Sequence, residues 1–397
     1  MLLLALACFV PENEPPPAGT DSATPDTGEP EVPCDGATYA GDVEIADEDV
    51  GWFCAEYDHI DGDLLVAGRT LPDLAGLECL CDVSGTVAIS GVGMTSLHGL
   101  EGLTNVGRRL VISEAHALTD LDALGSVRSV DSLEIQLNAA LTSLDGLAAL
   151  ESVRVASIVG NGALVDVSVL ARVALTASEV NVFDNTALTD LSALADLRSI
   201  SWLGVGGNAL TTYEDLAALE SVNDLILGEA GVADLRGLSN ITQVGRLSLA
   251  GLTVPDLTGL ESLTTAQELQ IEDCDALVDL GSLAGLPFES VLVQDSDALV
   301  DLTGLEATVG GSDGYLALRD NDALVSLAGL EGPRTFEGVA LERNAALADI
   351  SAISELETVS DYFSIQDNPA LPTSQAVDLC AGLDGPEDGC TITGNGP

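Results

Sequence analysis

The chain contains no lysine, and its 12 basic residues, all arginine, face 65 acidic ones, for a formal net charge of −53 over 397 residues. A surface of that sign repels the phosphates of nucleic acid and of anionic lipid, which removes both as partners. Aromatic residues are scarce, 3% of the sequence against 46% hydrophobic. A globular enzyme of this length relies on more large rings. A stack of thin coils fills its narrow interior with Leu, Ile, Val and Ala, so the imbalance favours a repeat architecture. Apart from the first residues, no apolar stretch approaches the ~20 uninterrupted residues of a membrane-spanning helix. The only histidines are His59, His98 and His116, none in an HExxH or triad-like setting. GVGGN (204–208) lacks the strand-to-helix context of a phosphate loop. Glu268 and Glu272 form the best carboxylate pair, but four residues of extended chain hold them about 13 Å apart. That exceeds the ~5–9.5 Å of a glycosidase pair. The chain therefore reads as a non-enzyme with no cofactor other than the calcium considered below, a polysaccharide-acting β-helix enzyme being the remote alternative.

What is present begins with an export-like end. Met1 to Ala7 (MLLLALA) is apolar and runs directly into Cys8. Leu-Ala-Leu-Ala-Cys resembles a bacterial lipobox, which implies acylation of Cys8. The run has no basic flank and is short for a signal core, as expected if the true start lies upstream. Residues 9–33, rich in Pro, Thr, Asp, Glu and Gly, read as a disordered tether. The expected localisation is extracytoplasmic, at a bacterial cell surface or outer membrane or secreted, with membrane contact only through the lipid anchor. The acidic self-repulsion is relieved by salt or divalent cations, which suits that setting.

Export permits disulfides among Cys34, Cys54, Cys79, Cys81, Cys274, Cys380 and Cys390. Cys34 and Cys54 bracket the first folded segment. Cys79 and Cys81 lie close together on a turn, and either is an alternative partner for Cys54. Cys380 and Cys390 enclose a loop after a helix expected over Gln375 to Leu383, with Thr373 or Ser374 as N-cap.

From Gly62 onward one pattern recurs: inward-x-inward, two further residues, often Asn, then A-L-x-D-L-x-x-L-x-x-L. Clear copies are LEIQLNAALTSLDGLAAL (133–150), VNVFDNTALTDLSALADL (180–197) and LALRDNDALVSLAGL (316–330). The Asn position marks about fourteen coils, at 69, 92, 115, 138, 161, 185, 208, 230, 252, 274, 296, 321, 344 and 368, each 22 to 25 residues after the last. Periods of that length mean a solenoid. Leu133-Glu134-Ile135 is a strand with two side chains inward and one outward. The marker Asn turns inward to form a ladder between coils, and Cys274 occupies the same slot as a core residue. Asp73, Asp120, Asp166, Asp190, Asp234, Asp256, Asp279, Asp301 and Asp349 recur at one bend, where an Asx-type cap is expected.

CAEYDHIDGDLLV (54–66), GLEGLTNVGRRLVI (99–112) and the terminal CTITGN (390–395) resemble receptor L domains, the ligand-binding β-helices of the epidermal growth factor and insulin receptors and of bacterial surface relatives. The resemblance covers about 54–395. It implies a right-handed β-helix of leucine-rich repeats, extracellular display and a Cys34–Cys54 cap disulfide. The chain departs in having about twice the coils of one L domain and none of the receptors' cysteine-rich or kinase modules, so growth-factor signalling does not carry over. The expected organisation is an all-β-rich solenoid over 62–371, with an N-terminal cap at 34–61, a C-terminal cap at 372–397 and small helical caps.

Solenoids bind on the face of their stacked strands. Outward positions there include Arg109, Phe183, Trp202, Arg246, Tyr315, Arg319 and Tyr362, residue types that dominate binding hot spots and, for the rings, stack on sugars. A receptor- or adhesin-like role toward an extracellular protein or glycan follows. A second feature is an acidic stripe: Asp273, Asp295 and Asp320 share one slot of consecutive coils, with Asp275, Asp297 and Asp322 beside them. Coils about 4.8 Å apart bring these carboxylates to repulsive range unless solvated or bridged, so the stripe is either hydrated turn acids or a calcium site. The calcium alternative points to an envelope-structural, self-associating protein.

Overall fold

A computed structural model describes residues 34, 36–46, 52–91, 93–386 and 389–397. The candidate lipidation site Cys8 and the 9–33 segment lie outside the described residues. Leucines three apart set the coil: Leu191, Leu194 and Leu197 are all buried, and three residues is the period of a 3₁₀ turn. The chain forms one there, Ser192–Leu194, with i→i+3 bonds of 2.7 and 2.9 Å. Equivalent turns recur at Asp122–Leu124, Asp145–Leu147, Arg236–Leu238 and Gly281–Leu283. Opposite them, alternating residues form strands such as Ser129–Gln136, in which Leu133 and Ile135 are fully buried and Glu134 is not. The twenty strands assigned among the described residues join one parallel sheet. The fold is an all-β leucine-rich solenoid with a continuous core of Leu, Ile and Val. Burying one such side chain is worth about 1.5–3 kcal/mol. Other coils turn here without an assigned 3₁₀ helix, as over 257–263, and one has a short α-helix, Leu170–Val173, in its place.

The asparagine ladder is formed. Asn161 Oδ1 accepts the backbone N–H and the Nδ2–H of Asn138 (3.0 and 3.1 Å). Asn161 Nδ2 in turn donates to the Ile135 carbonyl (2.9 Å) and to Asn185 Oδ1 (3.2 Å). One run links Asn138, Asn161, Asn185 and Asn208. A second links Asn321, Asn344, Asn368 and Asn395. Ala230 and Leu252 interrupt the file between them. The buried, unbridged Cys274 and Ser296 then resume it: Cys274 N–H donates to Ser296 Oγ (3.2 Å), and Ser296 N–H to Asn321 Oδ1 (3.1 Å).

The residue before the ladder slot turns the corner in the left-handed region. Glu114, Leu137, Asp184, Asp273, Asp295, Asp320, Arg343 and Asp367 all have φ between 48° and 58° there. Aspartate fills five of these eight positions because a short polar side chain tolerates this conformation best after glycine and asparagine. The nine bend aspartates behave as expected, each accepting the N–H two residues on at 2.7–3.4 Å.

The ends correct two expectations. The disulfide implied by the L-domain resemblance, Cys34–Cys54, is not formed. Cys54 bonds Cys79, 25 residues on, and Cys34 bonds Cys81. Parallel stacking superposes residues one coil apart, which delivers Cys79 to Cys54 and leaves Cys34 to reach the following coil. Cys380–Cys390 is present as expected. The terminal helix spans Thr373–Gly382, starting before Gln375 and without a side-chain cap. Instead of capping, Thr373 gives both its N–H and its hydroxyl to the Gly396 carbonyl (2.9 and 2.7 Å), tying the helix to the chain end. Tyr39, Trp52, Phe53 and Tyr57 pack together in the N-terminal cap, Tyr39 edge-on to Trp52 and Tyr57, Trp52 edge-on to Phe53, and Phe53 tilted on Tyr57.

Asn161→Ala strands buried donors on Asn138 and is expected to cost about 2–4 kcal/mol, read as a lower urea midpoint; an unchanged midpoint would show the ladder to be incidental. The Tyr213 hydroxyl is buried without a partner among the described residues. Tyr213→Phe should therefore stabilise the fold by about 1 kcal/mol, measured as a higher melting temperature.

Candidate functional site

Parallel pairing arranges the outward side chains in files along the solenoid. One file contains Arg109, Glu179, Trp202, Asp224, Arg246, Glu268, Tyr315 and Tyr362; Phe183 and Arg319 lie four residues further along their strands. All seven residues singled out from the sequence thus share one face. The fold gathers the rings into two groups and leaves Arg109 and Arg246 apart from both.

In the first group, Trp202 Nε1 donates to Asn181 Oδ1 (2.9 Å), and Asn181 Nδ2 donates to Glu179 (2.7 Å). Phe183 leans across the following coils. A Cβ on Gly204 would stand 2.5 Å from Phe183 Cε2, and one on Gly228 3.7 Å from Cε1. In the second group the rings of Tyr315 and Tyr362 stack at 6.2 Å with a 23° interplanar angle, although a whole coil separates theirs. That coil presents Gly338 between them, and a Cβ there would run into the Tyr362 ring. Tyr315 gives its hydroxyl to Glu337, and with partial desolvation this pushes the phenol up to about 12. Burial raises Tyr362, against a hydrogen bond from Arg319. Gly204, Gly338 and Glu337 were not marked by the sequence reading. The available signal was a glycine at an outward strand position beside a ring, where strands otherwise disfavour it.

The arginines of the face are already engaged. Arg109 makes a two-pronged bridge to Glu134 (2.8 and 2.7 Å). Arg246 lies between Asp224 (3.3 Å) and Glu268 (2.6 Å), and Arg319 pairs with Glu342 (3.4 Å). Each bridge joins neighbouring coils. Exposed pairs of this kind contribute roughly 0–1 kcal/mol each.

In the acidic stripe each file of aspartates has a backbone role. Asp273, Asp295 and Asp320 occupy the left-handed corner. Asp320 is held by both prongs of Arg343 at 2.7 Å, which keeps its carboxyl below the usual range. In the second file, Asp275 Oδ1 accepts the N–H of Asp297 (3.4 Å), and Asp297 Oδ1 that of Asp322 (2.9 Å). Among the described residues, no group of three or more His, Cys, Asp or Glu is placed to hold a metal ion. Crowding is felt at Glu272, where burial first, and then Asp273 and Asp295, push the carboxyl up.

No family model matches the chain, and no curated protein matches it. Similar solved structures include an internalin, InlF, of Listeria monocytogenes, with 19% identity over 66% of this chain and 75% of that one and a TM-score of 0.46. A leucine-rich-repeat protein of Leptospira interrogans is similar at 15% identity, over 80% of this chain and 93% of its own, with a TM-score of 0.42. TLR13, solved in complex with ssRNA13, is similar at 12% identity, over 89% of this chain and 63% of its own, with a TM-score of 0.37. Among the described residues no helix is long and apolar enough to cross a membrane.

The two perturbed carboxyls have opposite signs. Glu272 is raised in the fold, so its charge opposes folding at neutral pH. Glu272→Gln should increase the unfolding midpoint at pH 7, and the gain should vanish as pH falls through the raised pKa to below the ordinary glutamate value. Asp320 is depressed, so its ion pair stabilises above the unfolded pKa. Asp320→Asn should lower the midpoint at pH 7, and that deficit should fade only as pH falls through the depressed value. Midpoints measured across pH 3–8 would contradict both assignments if the two variants tracked the parent in parallel.

Proposed function

We propose that the chain is an extracytoplasmic binding protein whose strand face engages an external protein or glycan. The observation that carries this reading is the distribution of rings. Of the twelve aromatic residues described, Tyr213, Phe288, Phe336 and Phe363 lie in the core. Tyr39, Trp52, Phe53 and Tyr57 cluster in the N-terminal cap. The remaining four, Phe183, Trp202, Tyr315 and Tyr362, all stand on the outward side of the strand face. Tyr315 is exposed and the other three are half-buried, and accessible rings on one broad surface are what a binding face requires. Three disulfides support an oxidising setting. In this reading an acylated Cys8 and the 9–33 tether hold the solenoid off a membrane. The charge of −53 argues against nucleic acid and anionic lipid as ligands. A second reading is calcium-dependent self-association along the aspartate stripe, motivated by the stacking of its two files over consecutive coils.

The test is retention of cell-surface protein and glycan fractions on the immobilised chain, with calcium and with chelator. A retained partner should be lost on combined Trp202→Ala and Tyr315→Ala substitution, with the melting temperature kept. A partner indifferent to that substitution would move the binding surface elsewhere. Retention of the chain alone, and only with calcium, would put the aspartate stripe in its place.

A further inference from the structure

We infer that the strand face between Phe183 and Tyr362 is a trough for a neutral, hydroxyl-rich polysaccharide lying along the solenoid axis. This rests on the binding-face reading and names its ligand class. The decisive feature is how the rings are held. Phe183 reclines over Gly204, and Tyr362 over Gly338 toward Tyr315, positions where a Cβ would collide with the ring. Glycine inside a strand is destabilising relative to alanine, and here it occupies outward positions that many other residues would fill. What that cost achieves is a ring laid down against the sheet. An upright ring suits insertion into a protein pocket. A ring laid along the sheet leaves its outer side to the ligand, in the Tyr315–Tyr362 pair the side that their mutual stacking leaves free, and the C–H side of a pyranose packs on such a surface.

The rings are also fixed in advance. The Trp202 indole is pinned by Asn181, the Tyr315 hydroxyl by Glu337 and that of Tyr362 by Arg319. Rings already ordered lose little freedom when a ligand arrives. Between the two groups the outward positions are mixed: Gly228, Ser248 and Ala250 are small, Gln270 and Gln294 are amides, Ile226 and Leu292 are apolar and Glu272 is acidic. Small residues leave room for a chain, and amides both donate to and accept from hydroxyls. Trp202 and Tyr315 are five coil steps apart, about 24 Å at the spacing of adjacent strands, which suits an extended oligosaccharide rather than a single sugar. A pyranose is comparable in length to one coil spacing, so a polymer along the axis meets successive coils in step. Charge selects among polysaccharides: Glu179, Asp224, Glu268 and Glu272 border the trough, with Arg246 bridging only Asp224 and Glu268, in a chain of net charge −53, so uronate and sulfated polymers are repelled.

The experiment is affinity electrophoresis of the full chain through native gels containing glucan, mannan, xylan or galactan, with polygalacturonate as the anionic comparison. At least one neutral polymer should retard the chain and polygalacturonate should not. Titration with oligosaccharides of the active polymer should then show about tenfold weaker binding for Trp202→Ala, the size expected for one lost stacking contact. Gly338→Ala should weaken binding similarly while keeping every ring, because it lifts Tyr362 off the sheet. Tyr362→Ala leaves the backbone untouched and decides the matter if Gly338→Ala lowers the melting temperature. Retardation by none of the neutral polymers, equal retardation by polygalacturonate, or full affinity in Trp202→Ala and Tyr362→Ala would each overturn the inference. A protein partner that depends on Trp202, with no polysaccharide bound, would overturn it while leaving the binding-face reading intact. If no fraction of either kind is held, both fall.

Discussion

Each coil lies directly over the last, at the spacing of adjacent strands, and nearly everything else in the molecule follows from that superposition. A residue in one slot has as its nearest non-bonded neighbour the residue in the same slot of the next coil. Groups that suit their own copies are therefore favoured along a whole file. Asparagine does so because its amide both donates and accepts, and the result is a buried chain of bonds with its donors and acceptors matched. Leucine does so because one hydrophobic layer roofs the next. Carboxylates do not, and a chain with 65 of them must separate or bridge them.

The arginines show how bridging is done. Arg109, Arg154, Arg198, Arg246, Arg334 and Arg343 each contact a carboxylate 21 to 25 residues away, one coil up or down. With cations so few, each is most effective between two coils, where it cancels repulsion that stacking imposes. Many aspartates instead have backbone work. Those at the bend accept an N–H two residues on, and those at the corner sit in a left-handed conformation that most side chains resist. The acidity is thus partly architectural, a by-product of turning the chain three times per coil.

The repeating features were legible in the sequence because repetition amplifies them. Leucines at intervals of three, the alternation at Leu133-Glu134-Ile135, the inward asparagines and the nine bend aspartates each state one physical requirement many times over. Features that occur once were not legible. The pairing of Cys34 with Cys81 depends on how the first coils stack, which spacing alone left open. Thr373 has the composition of an N-cap but is claimed by the Gly396 carbonyl, a partner 23 residues away. The seven face residues were read correctly as outward, since alternation fixes that. Whether a ring stands or reclines depends on glycine in the neighbouring coils, a sign that shows only when adjacent repeats are aligned and not within the ring's own strand. The aspartates at 273, 295 and 320 looked like a charge pattern because their shared backbone conformation is not visible in sequence.

The gap in the asparagine file at Ala230 and Leu252 divides the array into two bonded runs. In a one-dimensional stack, cooperativity passes only through nearest-neighbour interfaces, and a weak interface is where an unravelling front from either end is halted. The two ring groups fall on opposite sides of this fault line, Phe183 and Trp202 before it, Tyr315 and Tyr362 after. A ligand spanning both acts as an external splint, supplying across the fault the continuity that the buried amides supply elsewhere.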